Sequence, residues 1–234
     1  MPAAVTPGPD TTGSLDIVMS NVVNGVPLVL GTQKYTNANS DTFIVNTYKY
    51  YFTNIRLTTS GGYAWSPAES YYLVDQSNPS SLILHVSGIP RASYSSIEFM
   101  IGVDKNRNTS GAQTGALDPA NGMFWSWNTG YIMAKLEGTS PQSGDNYKKL
   151  TFHLGGFSGA FSVLRSVQLP FPNAAQVTET HKPQVNMNCD VAEWFKTPNT
   201  ISFGTVYGVT TSNTNAKNIA DNYADMFTIT SVVN

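Results

Sequence analysis

The chain has 234 residues, of which only 12% are charged, and its net charge is −2. This balance argues against a nucleic-acid-binding protein, which would carry a basic stripe, and no run approaches the roughly 18 apolar residues of a membrane span. The 19 glycines and 13 prolines, together with abundant Thr, Ser and Asn, are typical of a turn-rich β protein with an uncharged polar surface.

The N-terminal stretch is rich in Pro, Gly and Thr and cannot bury a core, so residues 1–13 are predicted to be a flexible linker. No signal peptide is visible. A tether of this kind before a β domain is what a trimmed lipoprotein or another exported protein would retain. We therefore expect a location in the periplasm, the outer membrane or at the cell surface, with membrane attachment only through an N-terminal lipid anchor. Residues 14–234 are predicted to form a single domain.

Short β-prone segments with alternating apolar residues follow one another along this domain. They are predicted over residues 14–20, 26–30, 43–57, 71–74, 81–86, 96–103, 131–136, 149–154, 161–169, 184–191, 201–209 and 228–233. Short helices are predicted over 191–196 and 215–226. About ten strands at this spacing predict an all-β fold, an antiparallel β-sandwich or barrel, and we favour the sandwich, with its short helices near the C-terminus.

The single cysteine, Cys189, cannot form an intrachain disulfide. It alternates with polar residues in the pattern of Val185, Met187 and Val191, which places it on the buried face of a strand. We therefore interpret it as a core thiol rather than a nucleophile or a metal ligand.

An unusual density of large side chains occupies the segment from residue 122 to 131, which contains Met123, Trp125, Trp127 and Tyr131. In an extended chain the two tryptophans lie on the same face. They could form the wall of a binding site or a bulky plug that closes one end of the core. Two exposed indoles would leave a large apolar patch. At least one is therefore predicted to be mostly buried, near His153 and between Met123 and Tyr131.

The sequence has three histidines, and two of them lie on predicted strands. His85 and His153 each face away from the apolar residues of their strand, whereas His181 lies in a predicted loop and is the weaker candidate. Imidazole is a good ligand for copper and zinc. Because no two histidines are closely spaced, any metal site would be assembled from distant strands. The alternative is that each histidine is solvated on a polar strand face.

A second candidate site is a polar loop that resembles a calcium-binding loop in its spacing. Asp104, Asn106 and Asn108 supply oxygens at its first, third and fifth positions. The bidentate acid expected at position twelve is missing, so Asp118 or Glu137 would have to complete a calcium site. The alternative is a loop whose Asp and Asn side chains cap its own turns.

Catalytic signatures are absent from the sequence. There is no Gly-x-Ser-x-Gly elbow, His-Glu-x-x-His motif, phosphate loop or Cys-x-x-Cys, and the acids are not paired by spacing. A non-enzymatic protein is therefore predicted. Exposed aromatic residues would also suit a carbohydrate-binding platform, unless they pack in the core. The aromatic residues that could supply it are Tyr48, Tyr50, Tyr63, Trp65, Tyr71 and Tyr72.

Several motifs together carry a resemblance to a known family. They are Met-Phe-Trp-Ser-Trp-Asn-Thr-Gly-Tyr at 123–131, Glu-Gly at 137–138, His-Leu-Gly-Gly at 153–156, Gly-Val-Asp at 102–104 and Gly-Ala-Leu-Asp-Pro at 115–119. In these the chain resembles the MbnP-like family, periplasmic copper-binding proteins associated with methanobactin operons. The resemblance covers roughly residues 15–170 and is densest over 97–156, and Trp-x-Trp-x-x-Gly-Tyr is its most specific element.

The resemblance implies a single copper held by histidines beside a tryptophan that a dihaem peroxidase oxidises to kynurenine. His153 falls on the His-Leu-Gly motif, and Trp125 and Trp127 fall on Trp-x-Trp. His85 is a second-ligand candidate from its orientation only, and a thioether such as Met123 or Met133 would favour Cu(I).

The leading hypothesis is therefore an exported, non-enzymatic copper-handling protein. The alternative is a metal-free surface module that binds carbohydrate or protein.

Overall fold

The structure is a computed structural model that describes residues 11–111, 113–125 and 130–234. Fourteen strands lie in these residues. In chain order they are β1 (Thr12–Val23), β2 (Val26–Pro27), β3 (Lys34–Thr36), β4 (Thr42–Thr59), β5 (Ala64–Trp65), β6 (Tyr71–Asp75), β7 (Ile83–Pro90), β8 (Ala92–Ile101), β9 (Ile132–Thr139), β10 (Lys149–Gly155), β11 (Arg165–Val177), β12 (Gln184–Asp190), β13 (Gly208–Val209) and β14 (Phe227–Val233).

Helical structure is sparse and mostly short. Among the described residues, the α-helices are α1 (Lys105–Asn108) and α2 (Thr214–Tyr223). 3₁₀ turns cover Pro79–Leu82, Gly115–Leu117, Pro119–Asn121 and Val191–Phe195. In the described part of the chain, neither α-helix nor any other helix has the length and apolar character needed to cross a membrane.

Two sheets pack face to face. The smaller sheet has the order β14-β12-β1-β2, with β7 also paired to β1. The larger sheet has the order β11-β8-β4-β9-β10-β13, and β3, β5 and β6 also pair with the long strand β4. Among the described strands, the β1–β12 and β10–β13 pairs are parallel and the other pairs are antiparallel. The predicted all-β, mostly antiparallel sandwich is thus confirmed.

Aromatic side chains fill the space between the sheets. Phe52 on β4 and Phe99 on β8 stack with their ring centroids 4.0 Å apart. Phe227, from β14 of the smaller sheet, meets them edge-on at 6.0 and 5.0 Å. All three rings are almost completely buried. This contact joins three strands from both sheets, so it couples the sheets directly.

β1 begins at Thr12, within the segment predicted to be a linker, and pairs there with Pro90. Residues 1–10, which carry the rest of the predicted linker, lie outside the described residues. The single domain over 14–234 stays a prediction.

The strand predicted over 201–209 is mostly a turn. The N–H groups of Thr205 and Val206 both donate to the carbonyl of Ser202, so the backbone closes on itself instead of pairing. Phe203 is buried there against Phe195, with ring centroids 4.9 Å apart. The alternating apolar residues therefore come from a packed turn, and strand pairing is limited to β13. The helix predicted over 215–226 is α2, and the turn predicted over 191–196 is a 3₁₀ turn.

The interpretation of Cys189 as a core thiol is confirmed. Its side chain is fully buried, and its sulfur lies 3.2 Å from the hydroxyl of Tyr48. Burial raises the pKa of the Cys189 thiol to about 12, so the reactive thiolate is scarce at neutral pH.

We predict that Phe227→Ala lowers the free energy of unfolding by about 3–5 kcal/mol, because it leaves a cavity at the contact between the sheets. Urea denaturation followed by tyrosine and tryptophan fluorescence measures this. Phe161→Ala is the matched control, since Phe161 is 43% exposed and should lose far less. Similar losses for the two variants would contradict the central role of Phe227.

Candidate functional site

His153 lies on the outer face of the larger sheet, beside a carboxylate. Leu150, Phe152 and Leu154 of β10 point into the core, so His153 points outward. Its Nε2 lies 2.7 Å from Oε1 of Glu137 on the neighbouring strand β9. The histidine side chain is only 19% exposed. The site is therefore partly shielded from water although it lies outside the core.

The local charges favour a neutral imidazole and an ionised carboxylate. Burial lowers the pKa of His153, and the nearby Lys135 adds to this, while Glu137 offsets part of it. Burial alone would raise the pKa of Glu137, but the hydrogen bond from His153 and the charge of Lys135 outweigh it and lower that pKa. An ionised carboxylate can only accept, so Nε2 of His153 carries the proton and Nδ1 holds the lone pair. Such a carboxylate orients a histidine for metal binding.

Two lysines stand in the same row of the sheet as His153. Lys49 on β4 is opposite Lys135 on β9, which is opposite His153 on β10. The Lys135 ammonium lies 3.8 Å from Glu137, and that of Lys49 lies 2.9 Å from Asp75. Burial lowers the pKa of Lys135; the charge of Lys49 acts in the same direction, and Glu137 opposes both. The row therefore places positive charge beside the imidazole.

Residues 113–125, which we call the covering segment, are fastened over this outer face. Four side chains of β4, β9 and the residue before β9 donate to carbonyl oxygens of the segment. The bonds run from Tyr51 to Ala116 at 3.1 Å, from Tyr131 to Leu117 at 2.7 Å, from Lys49 to Asn121 at 3.4 Å and from Lys135 to Gly122 at 2.9 Å. The lysines and tyrosines thus fix the chain that leads into the Trp-x-Trp motif.

Trp125 is brought to the same outer face. Its side chain is only 4% exposed, and a Cβ at Gly155 would lie 2.5 Å from its Cζ3 atom. Gly155 follows His153 by two residues on β10, so the Trp125 ring contacts the same strand that carries His153. The prediction that at least one tryptophan is mostly buried is confirmed for Trp125. Trp127 lies outside the described residues.

The structure does not bring His85 to this face. His85 is on β7 of the smaller sheet, where its Nδ1 lies 2.6 Å from Asp16 on β1. Its side chain is 68% exposed. Each histidine points away from the apolar residues of its own strand. The apolar faces of the two packed sheets face each other. His85 and His153 therefore point out of opposite sides of the sandwich and cannot hold one ion together. His181 is exposed in a loop, beside the hydroxyls of Thr178 and Thr180.

The candidate thioethers are both fully buried. Met123 and Met133 have no exposed surface. The sulfur of Met133 accepts a hydrogen bond from the N–H of Val103 at 3.1 Å. Met123 belongs to the covering segment and is therefore nearer in sequence to the tryptophans.

The polar loop proposed for calcium is a short helix that caps itself. Oδ1 of Asp104 accepts from the N–H groups of Asn106 and Arg107 at the start of α1. Asn108 is buried, and its Oδ1 accepts from the N–H of Tyr131 at 2.9 Å. Asp118 caps the 3₁₀ turn that follows it. The oxygens of Asp104 and Asp118 accept hydrogen bonds from neighbouring backbone N–H groups, as expected for a loop whose side chains cap its own turns. Calcium binding here stays a prediction.

The aromatic platform is only partly available. Tyr48 and Tyr50 are fully buried between the sheets, so they cannot bind a ligand at the surface. Tyr63 is 48% exposed, while Trp65, Tyr71 and Tyr72 are partly buried.

The sequence did not assign Lys49 and Lys135 to the site or Glu137 as the partner of His153. Glu137 stood out only as part of a family motif and as a calcium candidate. The available signal was the alternation of Lys135, Glu137 and Thr139 on β9, which predicts a polar outer face. The partner strand and register are what bring this face to His153, and neither follows from alternation.

Comparison with known proteins gives a consistent family match. The MbnP family model matches residues 12–218. Among solved structures, MbnP from Methylosinus trichosporium matches with a TM-score of 0.56 and 13% sequence identity, covering 87% of this chain and 83% of that chain. No curated protein sequence matches. At this identity the structural match is evidence for the fold alone.

We predict that Gly155→Ala lowers the free energy of unfolding by about 1–3 kcal/mol, because the added methyl group overlaps the Trp125 ring. Gly208→Ala is the matched control, since a Cβ at this second strand glycine would meet nothing within 4 Å. Chemical denaturation of both variants gives the comparison. Equal stabilities would show that the Trp125 ring does not occupy this position.

We also predict that Glu137→Gln lowers the pKa of His153 further, since Glu137 is the group that raises it. NMR titration of the His153 ring protons in metal-free protein measures the shift. Glu98→Gln, which changes an acid elsewhere on the larger sheet, should leave this titration unchanged. An unaltered or higher pKa in Glu137→Gln would contradict the assigned hydrogen bond.

Proposed function

The chain belongs to the MbnP family, whose model matches most of its length, and from this premise we propose that it is an exported, non-enzymatic copper-handling protein. The proposed copper site is on the outer face of the larger sheet and includes His153 and the Trp-x-Trp motif. We also propose that the protein is located in the periplasm, the outer membrane or at the cell surface. An N-terminal lipid anchor is its proposed attachment to the membrane.

One observation carries the proposal. The ring of Trp125 packs on Gly155, two residues beyond His153 on β10. The first tryptophan of Trp-x-Trp therefore contacts the His-Leu-Gly-Gly segment, although Trp125 and His153 are about 28 residues apart in the sequence. The neutral imidazole, oriented by Glu137, presents its Nδ1 lone pair in a partly shielded position. This is the state in which histidine binds metal.

Copper fits these residues only in part. His153 supplies one nitrogen, and Glu137 is engaged with His153 and with the hydroxyl of Thr47. Within residues 11–111, 113–125 and 130–234 there is no group of three or more His, Cys, Asp or Glu side chains that could hold a metal ion. Further ligands would have to come from elsewhere, and we propose the Trp-x-Trp motif as their source.

Unmodified indole is a poor ligand, because its N–H can only donate. Oxidation of Trp125 or Trp127 to kynurenine would provide an amine and a carbonyl, and a dihaem peroxidase is the proposed partner for that reaction. Met123, buried in the same segment, is the proposed thioether that would favour Cu(I). His85 is not part of this proposal, since it lies on the opposite face of the sandwich.

We predict that Glu137→Gln lowers copper affinity by roughly 10–100-fold, because the imidazole of His153 is no longer held in one orientation. His153→Ala removes the ligand itself and should lower the affinity by more. His85→Ala is the matched control: it also removes a strand histidine hydrogen-bonded to an acid, but on the other sheet. Its affinity should equal that of the wild type. Competition titration with a chromophoric copper chelator, on protein from the native host, gives the affinities.

Equal losses in His153→Ala and His85→Ala would contradict the site. Absence of copper binding by the wild-type protein at micromolar concentrations would contradict the function and favour the metal-free surface module.

A further inference from the structure

A polar cleft of about 380 Å³ opens on the larger sheet between the start of β6 and the covering segment. Its volume is in the range of small-molecule sites. The side chains that the argument uses are Glu69, Tyr71, Tyr72, Arg107, Gln113 and Thr114. His153 and Trp125 do not line it, so it is distinct from the proposed copper site.

The polar groups of the cleft are held in place by one another. The hydroxyl of Tyr71 donates to Asp104 at 2.5 Å. The Arg107 guanidinium lies over the Tyr71 ring, 5.3 Å from its centroid, forms an ion pair with Glu69 and donates to Gln113 at 3.1 Å. Such mutual support fixes the positions of donors and acceptors before any ligand arrives, which reduces the entropy cost of binding.

A second cleft of about 170 Å³ adjoins the first. Ser70 and Tyr71 line both clefts, and Asn54, Ser66 and Pro67 are among the other residues that line the second one. We call the two adjoining clefts the track. Two clefts that share lining residues suit a ligand of more than one unit.

The charges of the track are already paired. Arg107 is opposed by Glu69, and Asp104 is satisfied by Tyr71 and by the N–H groups of α1. A charged ligand would have to displace one of these partners. The remaining groups are hydroxyls, amides and aromatic surface, which can match the alternating hydroxyls and the C–H faces of a sugar ring.

We propose that this track binds a neutral oligosaccharide. The Thr114 hydroxyl recognises a sugar hydroxyl in the larger cleft, Tyr72 supplies an aromatic wall there, and Tyr71 contributes to both sugar subsites. A peptide is less well matched, because the track offers neither an unpaired charge nor a deep apolar pocket for a side chain.

Affinity gel electrophoresis tests this, with laminarin, galactomannan and dextran cast separately into native gels that contain EDTA, so that copper plays no part. We expect at least one polysaccharide to retard the wild-type protein. Tyr72→Ala should abolish the retardation because it removes the aromatic wall, and it leaves the Tyr71–Asp104 and Arg107–Glu69 contacts in place. Gln168→Ala, at an exposed position of β11, should migrate like the wild type. Tyr147→Ala should also do so; it removes a tyrosine that is 79% exposed and outside the track.

Normal mobility of the wild type in all three gels overturns the proposal. Equal retardation of the wild type and Tyr72→Ala overturns it too, as does a loss of retardation in Tyr147→Ala. Because the gels contain a chelator, each of these results is independent of whether copper binds at His153.

Discussion

The outer face of the larger sheet depends on one constraint. The irregular covering segment is attached to the sheet through hydrogen bonds that the segment's carbonyl oxygens accept. The covering segment has little regular structure of its own, so its backbone groups need partners from elsewhere. Tyrosine and lysine side chains of the sheet supply donors. Leaving one buried carbonyl unpaired would cost about 1–3 kcal/mol. These donors therefore decide where the segment lies, and with it where Trp125 is placed.

The burial of outward-facing residues follows from this attachment. Tyr51 and Tyr131 are nearly inaccessible although they point away from the sandwich core, and their rings meet at 5.6 Å. The segment thus creates a second, smaller layer of packing on the outside of the sheet. A titratable group at the border of that layer, such as His153, is desolvated without entering the core, and its pKa falls for that reason.

Alternation of apolar and polar residues was enough to predict the sandwich and the face on which each strand histidine lies. It could not predict which sheet a strand joins. His85 and His153 have the same local pattern, yet β7 pairs with β1 and β10 pairs with β9, so the two imidazoles point in opposite directions. The loop at Asp104 shows a similar limit. Carboxylate spacing alone does not distinguish a cation site from a capped turn, and here backbone N–H groups bind the oxygens.

The burial of Trp125 could be predicted from the free-energy cost of exposing two neighbouring indoles. The residue on which its ring packs, Gly155, could not be predicted. The ring needs a strand position without a side chain, and Gly155 provides one at the point where the pairing of β9 with β10 shifts register, between Leu154 and Gly155. Such shifts depend on the whole sheet and leave no local sequence signal.

The lysines that fasten the covering segment also limit what the site can bind. Lys135 is directly opposite His153, and Lys49 is the next residue along the row. The repulsion between like charges grows with the charge of each partner, so nearby ammonium groups oppose a divalent cation more than a monovalent one. Glu137 offsets part of the charge of Lys135, and Asp75 is ion-paired with Lys49. The positive charge that remains would oppose a doubly charged ion at the His153 imidazole more than a singly charged one.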